Sequence, residues 1–364
     1  MSQGKKTYFC KENVQYLMFN VQLEKWYEAF GRDLPWRRTR NPYLIMLSEF
    51  ILQQTQIVQG MSYYLRFAER FPTVESLAVA SEEEVLRLWQ GLGYYSRARH
   101  LHAAAKQIAE AGHFPQDYGF VRALPGIGDY TAAAIMSFAF DEPHAVLDGN
   151  VQRVLSRHFG INEPVDTTQG KKLLRALADE MLDRQHPALY NQAIMDFGAL
   201  QCKPSAPLCD TCPLADTCQA LQEHLVDKLP VKSKRTAVRD RYLTYIYVRT
   251  KDGQTFLHRR GSGDIWQGLF EFPLIESDRP LSFAEVEKRL NLVNGQLRLV
   301  ANDIRHQLTH QRLHADFYCL TLPSSTSNFQ FSTFNFQLIK ESDLDRYAFP
   351  RLLEKLLEKI KDLC

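Results

Sequence analysis

Apolar residues recur at helical spacing through residues 21–225. The repeat is clear in VQLEKWYEAF, LIMLSEFILQQTQIV, EEEVLRLWQGLG, ARHLHAAAKQIAEAG and GKKLLRALADEMLDR. This spacing puts apolar side chains on one face of a helix, which then packs against its neighbours. The pattern predicts an all-helical domain over residues 21–225.

The pattern changes after residue 241. Short β-branched and aromatic runs follow: YLTYIYVRT, QTFLHRR, GLFEFPLI, QLRLVAND and LHADFYCLTL. Such runs are typical of strands, while SFAEVEKRLN and PRLLEKLLEKIKD keep helical spacing. The pattern predicts an α+β domain over residues 242–364. Within it, the Ser-, Phe- and Asn-biased text SSTSNFQFSTFNF predicts a surface loop without chemistry.

A charged segment separates the two patterns. The text DKLPVKSKRTAVRDR, residues 227–241, holds six basic residues against two acidic ones, a proline and no apolar period. We interpret residues 226–241 as a solvated linker, with a DNA-binding clamp as the alternative. Residues 1–20 are predicted to be an N-terminal extension.

Composition limits the class of protein without choosing a partner. A chain of 364 residues favours two domains. Its 44 basic and 42 acidic residues give a net charge of +2, which neither requires nor excludes nucleic acid. No signal-peptide pattern and no apolar run of about 18 residues are found. We therefore expect a cytoplasmic protein, associated with the nucleoid in a bacterium, and a monomer, since no heptad repeat is present.

Four of the seven cysteines form a ladder with gaps of six, two and five residues. They are Cys202, Cys209, Cys212 and Cys218. A structural zinc site usually presents two Cys-x2-Cys knuckles, whereas one continuous loop with this spacing suits an iron-sulfur cubane. The ladder predicts a [4Fe-4S] cluster, with zinc or disulfides as alternatives.

A glycine turn between two predicted helices has the pattern of a DNA-binding hairpin. The text LPGIGDYT precedes the apolar run AAAIMSFAF. Gly126 and Gly128 permit a tight turn and leave amides near a helix N-terminus, where a phosphate can bind. Asp148 follows Tyr130 by eighteen residues, and the cysteine ladder comes later. This order of motifs resembles the helix-hairpin-helix superfamily of endonuclease III, and within it the MutY-type adenine DNA glycosylases.

The residue after Asp129 decides between two reactions in that superfamily. Bifunctional members carry a lysine there, whose amine attacks the sugar to form a Schiff base. This chain has Tyr130, and a phenol cannot form an imine. The resemblance therefore implies base removal without an efficient lyase step.

Glu49 is the candidate general acid. It lies in the apolar text LSEFILQQTQ, where partial desolvation would raise its pKa and keep it protonated near neutral pH. A surface glutamate, or a capping partner for Ser48, is the alternative. The text resembles the MutY segment whose glutamate protonates adenine N7, which implies that role for Glu49.

Asp148 is the complementary carboxylate. Loss of the base leaves an oxocarbenium-like sugar, which an ionised carboxylate can stabilise or capture. The helix predicted to begin at Gly149 would help to keep Asp148 ionised, and a simple N-cap role is compatible with this. The resemblance implies that Asn150 and Tyr130 hydrogen-bond the intermediate or Asp148.

Further positions resemble parts of the family's DNA-reading surface. Trp36 and Arg37 in LPWRR and Gln192 in NQAIMDFGAL correspond to the adenine pocket, with helix packing or a solvated face as alternatives. Gln54 and Tyr94 match residues that enter the base stack beside the flipped nucleotide.

The text GDIWQGLFEFP resembles the opening of Nudix-type folds. The downstream text SFAEVEKRLNL lacks the REx2EE-like carboxylate set, so we expect a binding domain without pyrophosphatase activity. In MutY enzymes a Phe-Ser-His loop of this domain recognises 8-oxoguanine. Here the corresponding residues are Leu308, Thr309 and His310.

These features together predict an enzyme that removes adenine mispaired with 8-oxoguanine, and also with guanine, from double-stranded DNA, with a [4Fe-4S] cluster as its cofactor. Three alternatives remain: a bifunctional glycosylase/lyase, a non-catalytic iron-sulfur DNA-binding protein, and a nucleotide pyrophosphatase with a helical appendage.

Overall fold

A computed structural model describes residues 13–233, 238–291, 296–322 and 336–361. Contacts divide the chain into two compact units. The first contains the described residues to Gln53 and those from Gln107 to 233, and the second contains Gln54–Lys106 and the described residues from 238 onward. Most of SSTSNFQFSTFNF lies outside the described residues, as do residues 1–12.

The all-helical and α+β parts that the sequence predicts are confirmed. The helices before the strands are α1 (Asn13–Phe30), α2 (Pro42–Leu52), α3 (Ile57–Arg70), α4 (Val74–Ala78), α5 (Glu82–Trp89), α6 (Ser96–Ala111), α7 (Tyr118–Ala123), α8 (Asp129–Phe140), α9 (Gly149–His158), α10 (Thr168–Met181), α11 (Pro187–Leu200) and α12 (Gln219–Gln222). Among the helices of the described residues, no segment is both long enough and apolar enough to span a bilayer.

One predicted helical run is broken in two. The text LIMLSEFILQQTQIV reads as one apolar stretch, but α2 ends at Leu52 and α3 begins at Ile57. Between them Gln54 has a φ of 55°, which no residue of an α-helix adopts. The apolar period continues across the break, so periodicity alone could not reveal it.

The core of the first unit lies between α1, α8, α9, α10 and α11. Phe19, Leu23 and Trp26 of α1 are buried there beside Tyr190 and Phe197 of α11. Capping residues start the flanking helices. The Asn41 side chain accepts from the Tyr43 amide at the start of α2, and Pro42 occupies the first turn. This capping sets where α2 begins and therefore where Glu49, which α2 carries, is placed.

The strands form two sheets in the second unit. They are β1 (Arg239–Thr250), β2 (Gln254–Arg259), β3 (Phe270–Glu271), β4 (Leu274–Ser277), β5 (Gln296–Gln307), β6 (Gln311–Leu322) and β7 (Gln337–Lys340), with α13 (Phe283–Leu290) and α14 (Arg351–Lys361). The sheet orders are β4-β1-β6-β5 and β3-β2-β7, and β1 runs parallel to β6. Since β1 begins at Arg239, the last three residues of the predicted linker belong to a strand.

Both faces of the larger sheet are covered. On one face, β1 and β6 side chains such as Tyr245 and Phe317 pack with the smaller sheet and with Leu353 of α14. On the other, Ile246 and Leu320 pack with α13. Alternation along the strands sends neighbouring side chains to opposite faces. Both layers are therefore apolar, as the runs in the sequence predicted.

The helix α13 begins with a capping box. The Glu285 side chain accepts from the Ser282 amide, and the Ser282 hydroxyl accepts from the Glu285 amide. Arg279 pairs with the same carboxylate and, with Ser282, lowers the pKa of Glu285 to about 2. Glu285 thus has a structural role at a helix N-terminus.

Arg241 should be a main polar contributor to the stability of this sheet. It is buried, and it donates to Asp264 and to Glu276 at 2.7 Å each. Replacing Arg241 with Met would leave Glu276 without this cation and Asp264 with Arg260 alone, at a partly buried site. We expect the opening free energy of the sheet to fall by about 3 kcal/mol, as measured by hydrogen exchange of the β1 and β6 amides.

Arg239→Met is the matched control, since Arg239 is exposed two residues away on the same strand. It should change the same opening free energy by less than about 0.5 kcal/mol. Burial would raise the pKa of Asp264, but Arg241 holds it below the ordinary value. The stabilisation is therefore complete above pH of about 4 and is lost as pH falls through the lowered pKa. If Arg241→Met and Arg239→Met lowered the opening free energy equally, Arg241 would not be a main polar contributor to the stability of the sheet.

Candidate active site

Glu49 lies near the C-terminal end of α2, where its side chain is 5% exposed among Met46, Phe50 and other apolar residues. Burial raises its pKa to about 7, and the nearby Asp148 adds to the rise. A hydrogen bond with Tyr130 and the charge of Arg37 act in the opposite direction. The raised pKa expected from the sequence is therefore present, and Glu49 can hold a proton near neutral pH.

Tyr130 is the second residue of α8 and belongs to the glycine hairpin. Its hydroxyl donates to the sulfur of Met195 at 3.9 Å, and it lies close enough to the Glu49 carboxyl to lower the pKa of that group. Burial raises its pKa well above the ordinary value, and Glu49 and Asp148 add to the rise. Tyr130 is thus a neutral phenol beside the carboxyl of Glu49.

Asp148 is the N-cap of α9. Its carboxylate accepts from the backbone amides of Asn150 at 2.9 Å and Val151 at 2.8 Å, and from the Asn150 side chain at 2.7 Å. Burial raises the pKa of Asp148 above its ordinary value, and these donors oppose the rise. Donors to a carboxylate favour its ionised form. The capping and catalytic interpretations of Asp148 are thus compatible.

Asn150 is held against α11 at a glycine. A Cβ on Gly198 would lie 2.7 Å from the Asn150 Cβ and 3.0 Å from its carbonyl oxygen, closer than two such atoms can approach. Glycine is therefore required there for α9 and α11 to pack. This close approach fixes the side chain that hydrogen-bonds Asp148.

Arg153 connects this cap to the cysteine loop. It donates to the Asn150 side-chain oxygen at 2.9 Å, to the Gly198 carbonyl at 2.6 Å and to the Cys202 carbonyl at 2.8 Å. One turn later on α9, Arg157 donates to the sulfur of Cys202 at 3.4 Å. Asp148 and Cys202 are thus joined by a continuous chain of hydrogen bonds.

All four ladder cysteines are free thiols and half-buried. Burial raises the pKa of Cys212 to about 12, an amide of Leu214 opposes this, and the thiols of Cys202, Cys218 and Cys209 add to it. The four side chains therefore share one neighbourhood. Within the described ranges, no group of three or more His, Cys, Asp or Glu side chains has the arrangement that holds a metal ion.

Two of the predicted adenine-pocket residues, Arg37 and Gln192, are joined by hydrogen bonds through Tyr27. Trp36 and Arg37 lie on a 3-10 turn at Pro35–Arg37, and Trp36 is buried. Arg37 donates twice to Asp196, at 2.7 Å each. Tyr27 donates to the Gln192 side-chain oxygen at 2.9 Å. Arg37 is also close enough to lower the pKa of Glu49.

Asp196 is a site residue that sequence reasoning missed. It is fully buried on α11 and anchors Arg37 and Arg32. Burial would raise the pKa of Asp196, but these two guanidinium groups lower it overall. The available signal was a lone carboxylate in the apolar text NQAIMDFGAL, since a buried charge needs a partner.

The hairpin has the geometry that its glycines predicted. Gly126 has a φ of 76°, which favours glycine, and Gly128 is the N-cap of α8. A Cβ at Gly128 would meet nothing within 4 Å, so the approach to the first amides of α8 is open there. Arg122 holds the turn by donating to Asp129 at 2.6 Å and to the Ile127 carbonyl at 3.0 Å.

The second unit contains the residues predicted to read the opposite base. Gln54 and Tyr94 are exposed, and the Tyr94 hydroxyl lies 3.0 Å from that of Thr309. Leu308, Thr309 and His310 form the turn from β5 to β6, in which the Leu308 amide donates to the Gln311 carbonyl at 2.8 Å. Tyr94 and this turn line a cavity of about 750 Å³ within the unit.

The predicted residues thus fall into two groups, one in each unit. The first contains Glu49, Tyr130, Asp148 and Asn150 with the pocket residues and the thiol loop. The second contains Gln54, Tyr94 and the Leu308–His310 turn.

Comparison with known families agrees with both parts of the fold. Residues 47–180 match the model of the HhH-GPD superfamily of base excision DNA repair proteins, and residues 244–359 match the NUDIX domain model. Among solved structures, a thermostable thymine-DNA glycosylase has a TM-score of 0.54 at 28% identity, over 58% of this chain and 98% of that one. Endonuclease III in a non-covalent DNA complex has the same fold, with a TM-score of 0.51 at 21% identity.

Curated relatives extend over both units. The adenine DNA glycosylase of Buchnera aphidicola subsp. Baizongia pistaciae is 35% identical over 82% of this chain and 84% of its own length. That of B. aphidicola subsp. Schizaphis graminum is 31% identical over 94% of this chain and 99% of its own length. The human adenine DNA glycosylase is 42% identical over 56% of this chain, which is 39% of the human protein. With this identity over nearly the full length of bacterial relatives, the chain belongs to the adenine DNA glycosylase family of base excision repair enzymes.

Proposed function

We propose that this enzyme removes adenine paired with 8-oxoguanine, and also with guanine, from double-stranded DNA. The observation that carries this proposal is the pairing of Glu49 with Asp148. Glu49 is buried and has a pKa of about 7, and the nearby Asp148 accepts from three N–H groups that favour its ionised form. Two carboxyls with different environments can act as an acid and a stabilising anion in one site.

Glu49 would give its proton to N7 of the flipped adenine. The bond between N9 and C1′ then breaks, and its electron pair leaves with the neutral base. Asp148 stabilises the positive sugar or forms a bond with it. Glu49, now ionised, takes a proton from water as the water oxygen attacks C1′. Where Asp148 has bonded to C1′, that bond breaks and its electron pair returns to the carboxylate. The reaction leaves an abasic site and restores the acid.

Tyr130 and the pocket residues would control geometry. Tyr130 holds the Glu49 carboxyl, and its high pKa keeps it a donor throughout. Trp36, Arg37 and Gln192 would frame the flipped adenine, with Asp196 fixing the guanidinium. Because the chain has no lysine at position 130, we expect the abasic product to be released without a Schiff base.

The second unit would read the base opposite the adenine. Gln54 and Tyr94 would enter the stack, and the Leu308–His310 turn would contact the oxidised guanine beside Tyr94. Thr309 supplies a hydroxyl, while Leu308 offers an aliphatic surface where the family has an aromatic ring. The amides at Gly126 and Gly128 would bind a phosphate.

The spacing of the four thiols favours an iron-sulfur cluster over a single ion. They are free and half-buried, and the thiols of Cys202, Cys209 and Cys218 lie close enough to Cys212 to raise its pKa. Cys202, Cys209, Cys212 and Cys218 would hold a [4Fe-4S] cluster, which would stabilise the loop. We expect a monomeric protein located with DNA in the cytoplasm.

A duplex with one adenine opposite 8-oxoguanine tests the proposal directly. After alkali, the strand should be cleaved at the adenine, whereas adenine opposite thymine should remain intact. Borohydride should trap no stable adduct. Glu49→Gln should slow cleavage by about 10²–10⁴-fold, and Glu28→Gln, on the exposed side of α1, should leave the rate unchanged. Equal cleavage opposite thymine would refute the proposed specificity, and a trapped adduct would favour a glycosylase/lyase.

The pH profile should report the two carboxyls. Glu49 acts only when protonated, so the single-turnover rate should fall as pH rises through about 7. Asp148 acts only when ionised, so a second loss should occur at acidic pH, above the ordinary aspartate range because burial raises its pKa. Glu49→Gln should remove the alkaline limb and slow the reaction by about 10²–10⁴-fold. A wild-type rate that stays constant from pH 6 to 9 would exclude Glu49 as the acid.

Arg153→Met should weaken both ends of the hydrogen-bond chain. We expect at least about a tenfold loss of excision rate and faster loss of iron to a chelator, read by iron content and by the visible absorption of the cluster. Arg175→Met, on α10, is the control. Arg175 also donates to a backbone carbonyl, that of Ala145, at 2.7 Å. Normal excision and iron retention in Arg153→Met would show that the chain does not support the site.

A further inference from the structure

Two loops of the second unit hold non-glycine residues in the left-handed backbone region. Gln54 has a φ of 55° and Tyr94 a φ of 47°. Side chains with a Cβ adopt this region rarely, and they persist there only where the surroundings enforce it. These are the two residues proposed to enter the base stack. Each loop therefore needs contacts that hold it in this conformation.

Arg97 contacts both loops with one guanidinium group. One terminal nitrogen donates to the Thr55 hydroxyl at 3.2 Å, and the other donates to the Gly93 carbonyl at 3.1 Å. Thr55 follows Gln54 in the chain, and Gly93 precedes Tyr94. The fork of Arg97 thus joins the residues next to the two strained positions.

The plane of Arg97 is also fixed by two aromatic rings. Its guanidinium carbon lies 5.1 Å from the centre of the Trp89 ring and 5.5 Å from that of Tyr94. Trp89 donates to the same Gly93 carbonyl at 2.9 Å. Arg97 is 6% exposed, and burial lowers its pKa to about 10, which leaves it charged at neutral pH. A buried cation between rings has a narrow choice of orientation.

We propose that Arg97 is a positioning residue that couples the Gln54 loop to the Tyr94 loop and so sets the opposite-base preference of the enzyme. This inference rests on the proposed function, because it gives those loops their task. Arg97 acts through Thr55 and Gly93 and does not touch the reacting atoms. A lysine would supply the charge but not the planar fork, since an ammonium group cannot hold both acceptors in one plane.

Hydrogen exchange of the free protein tests the coupling without any substrate. In Arg97→Met, amides of residues 53–56 and 91–95 should both exchange faster, and Arg97→Lys should restore them only in part. Thr55→Val, a milder change, should loosen residues 53–56 and, less strongly, 91–95. Arg66→Met is the control, since exposed Arg66 lies 4.4 Å from the Tyr63 ring in the same unit. Loosening of a single loop in Arg97→Met would overturn the proposal.

Excision kinetics test the consequence. Arg97→Met should lower kcat/KM for adenine opposite 8-oxoguanine by about 10²-fold, with a smaller loss opposite guanine, so that the preference between the two narrows. An unchanged preference would refute the assigned task even if both loops loosen. Failure of the wild type to remove adenine would refute the proposed function instead, while the exchange data would still decide whether Arg97 couples the loops.

Discussion

The removal of one carboxyl group from water determines the chemistry of the first unit. Glu49 is buried and Asp148 is half-buried, and burial raises the pKa of both. They differ in what replaces the lost water. Glu49 has one phenol hydrogen bond, whereas Asp148 accepts from two backbone amides and the side chain of Asn150. The hydrogen bonds to Asp148, together with the deeper burial of Glu49, therefore separate a residue suited to hold a proton from one suited to remain an anion.

The helix α9 connects the Asp148 carboxylate to the cysteine loop. Asp148 caps its first turn, and Arg153 and Arg157, four residues apart, lie on the same side of the helix. Both arginines donate to residues at the start of the cysteine loop. Movement of that loop would therefore move α9, and with it the cap that favours the ionised carboxylate. A change in the cysteine loop can therefore reach the Asp148 cap through this chain of hydrogen bonds.

Local patterns in the sequence predicted the parts of the site that depend on local structure. Glu49 could be singled out because a carboxyl in an apolar helix is unusual and Asp148 because it precedes a helix, with their roles implied by the family resemblance, and the thiols because of their spacing. Asp196 and its pairing with Arg37 could not be found in this way, since the two residues are 159 positions apart. A buried charge shows that a partner exists, but the choice of partner depends on which helices pack together, and that is a property of the tertiary fold.

The same limit applies more strongly to the second unit. Residues 54–106 read as a continuation of the helical domain, yet their contacts group them with the C-terminal residues. Tyr94 and Thr309 share a hydrogen bond across 215 positions, and Arg97 reaches Thr55 across 42. The first pair joins one exposed loop to another, and the second joins α6 to the loop before α3, so no apolar period gives either register. The strain at Gln54 and Tyr94 also has no signal in composition, because it is imposed by neighbours that only the folded chain provides. Selectivity for the opposite base would therefore depend on these long-range contacts, whereas the chemistry of base removal depends on features that the sequence shows locally.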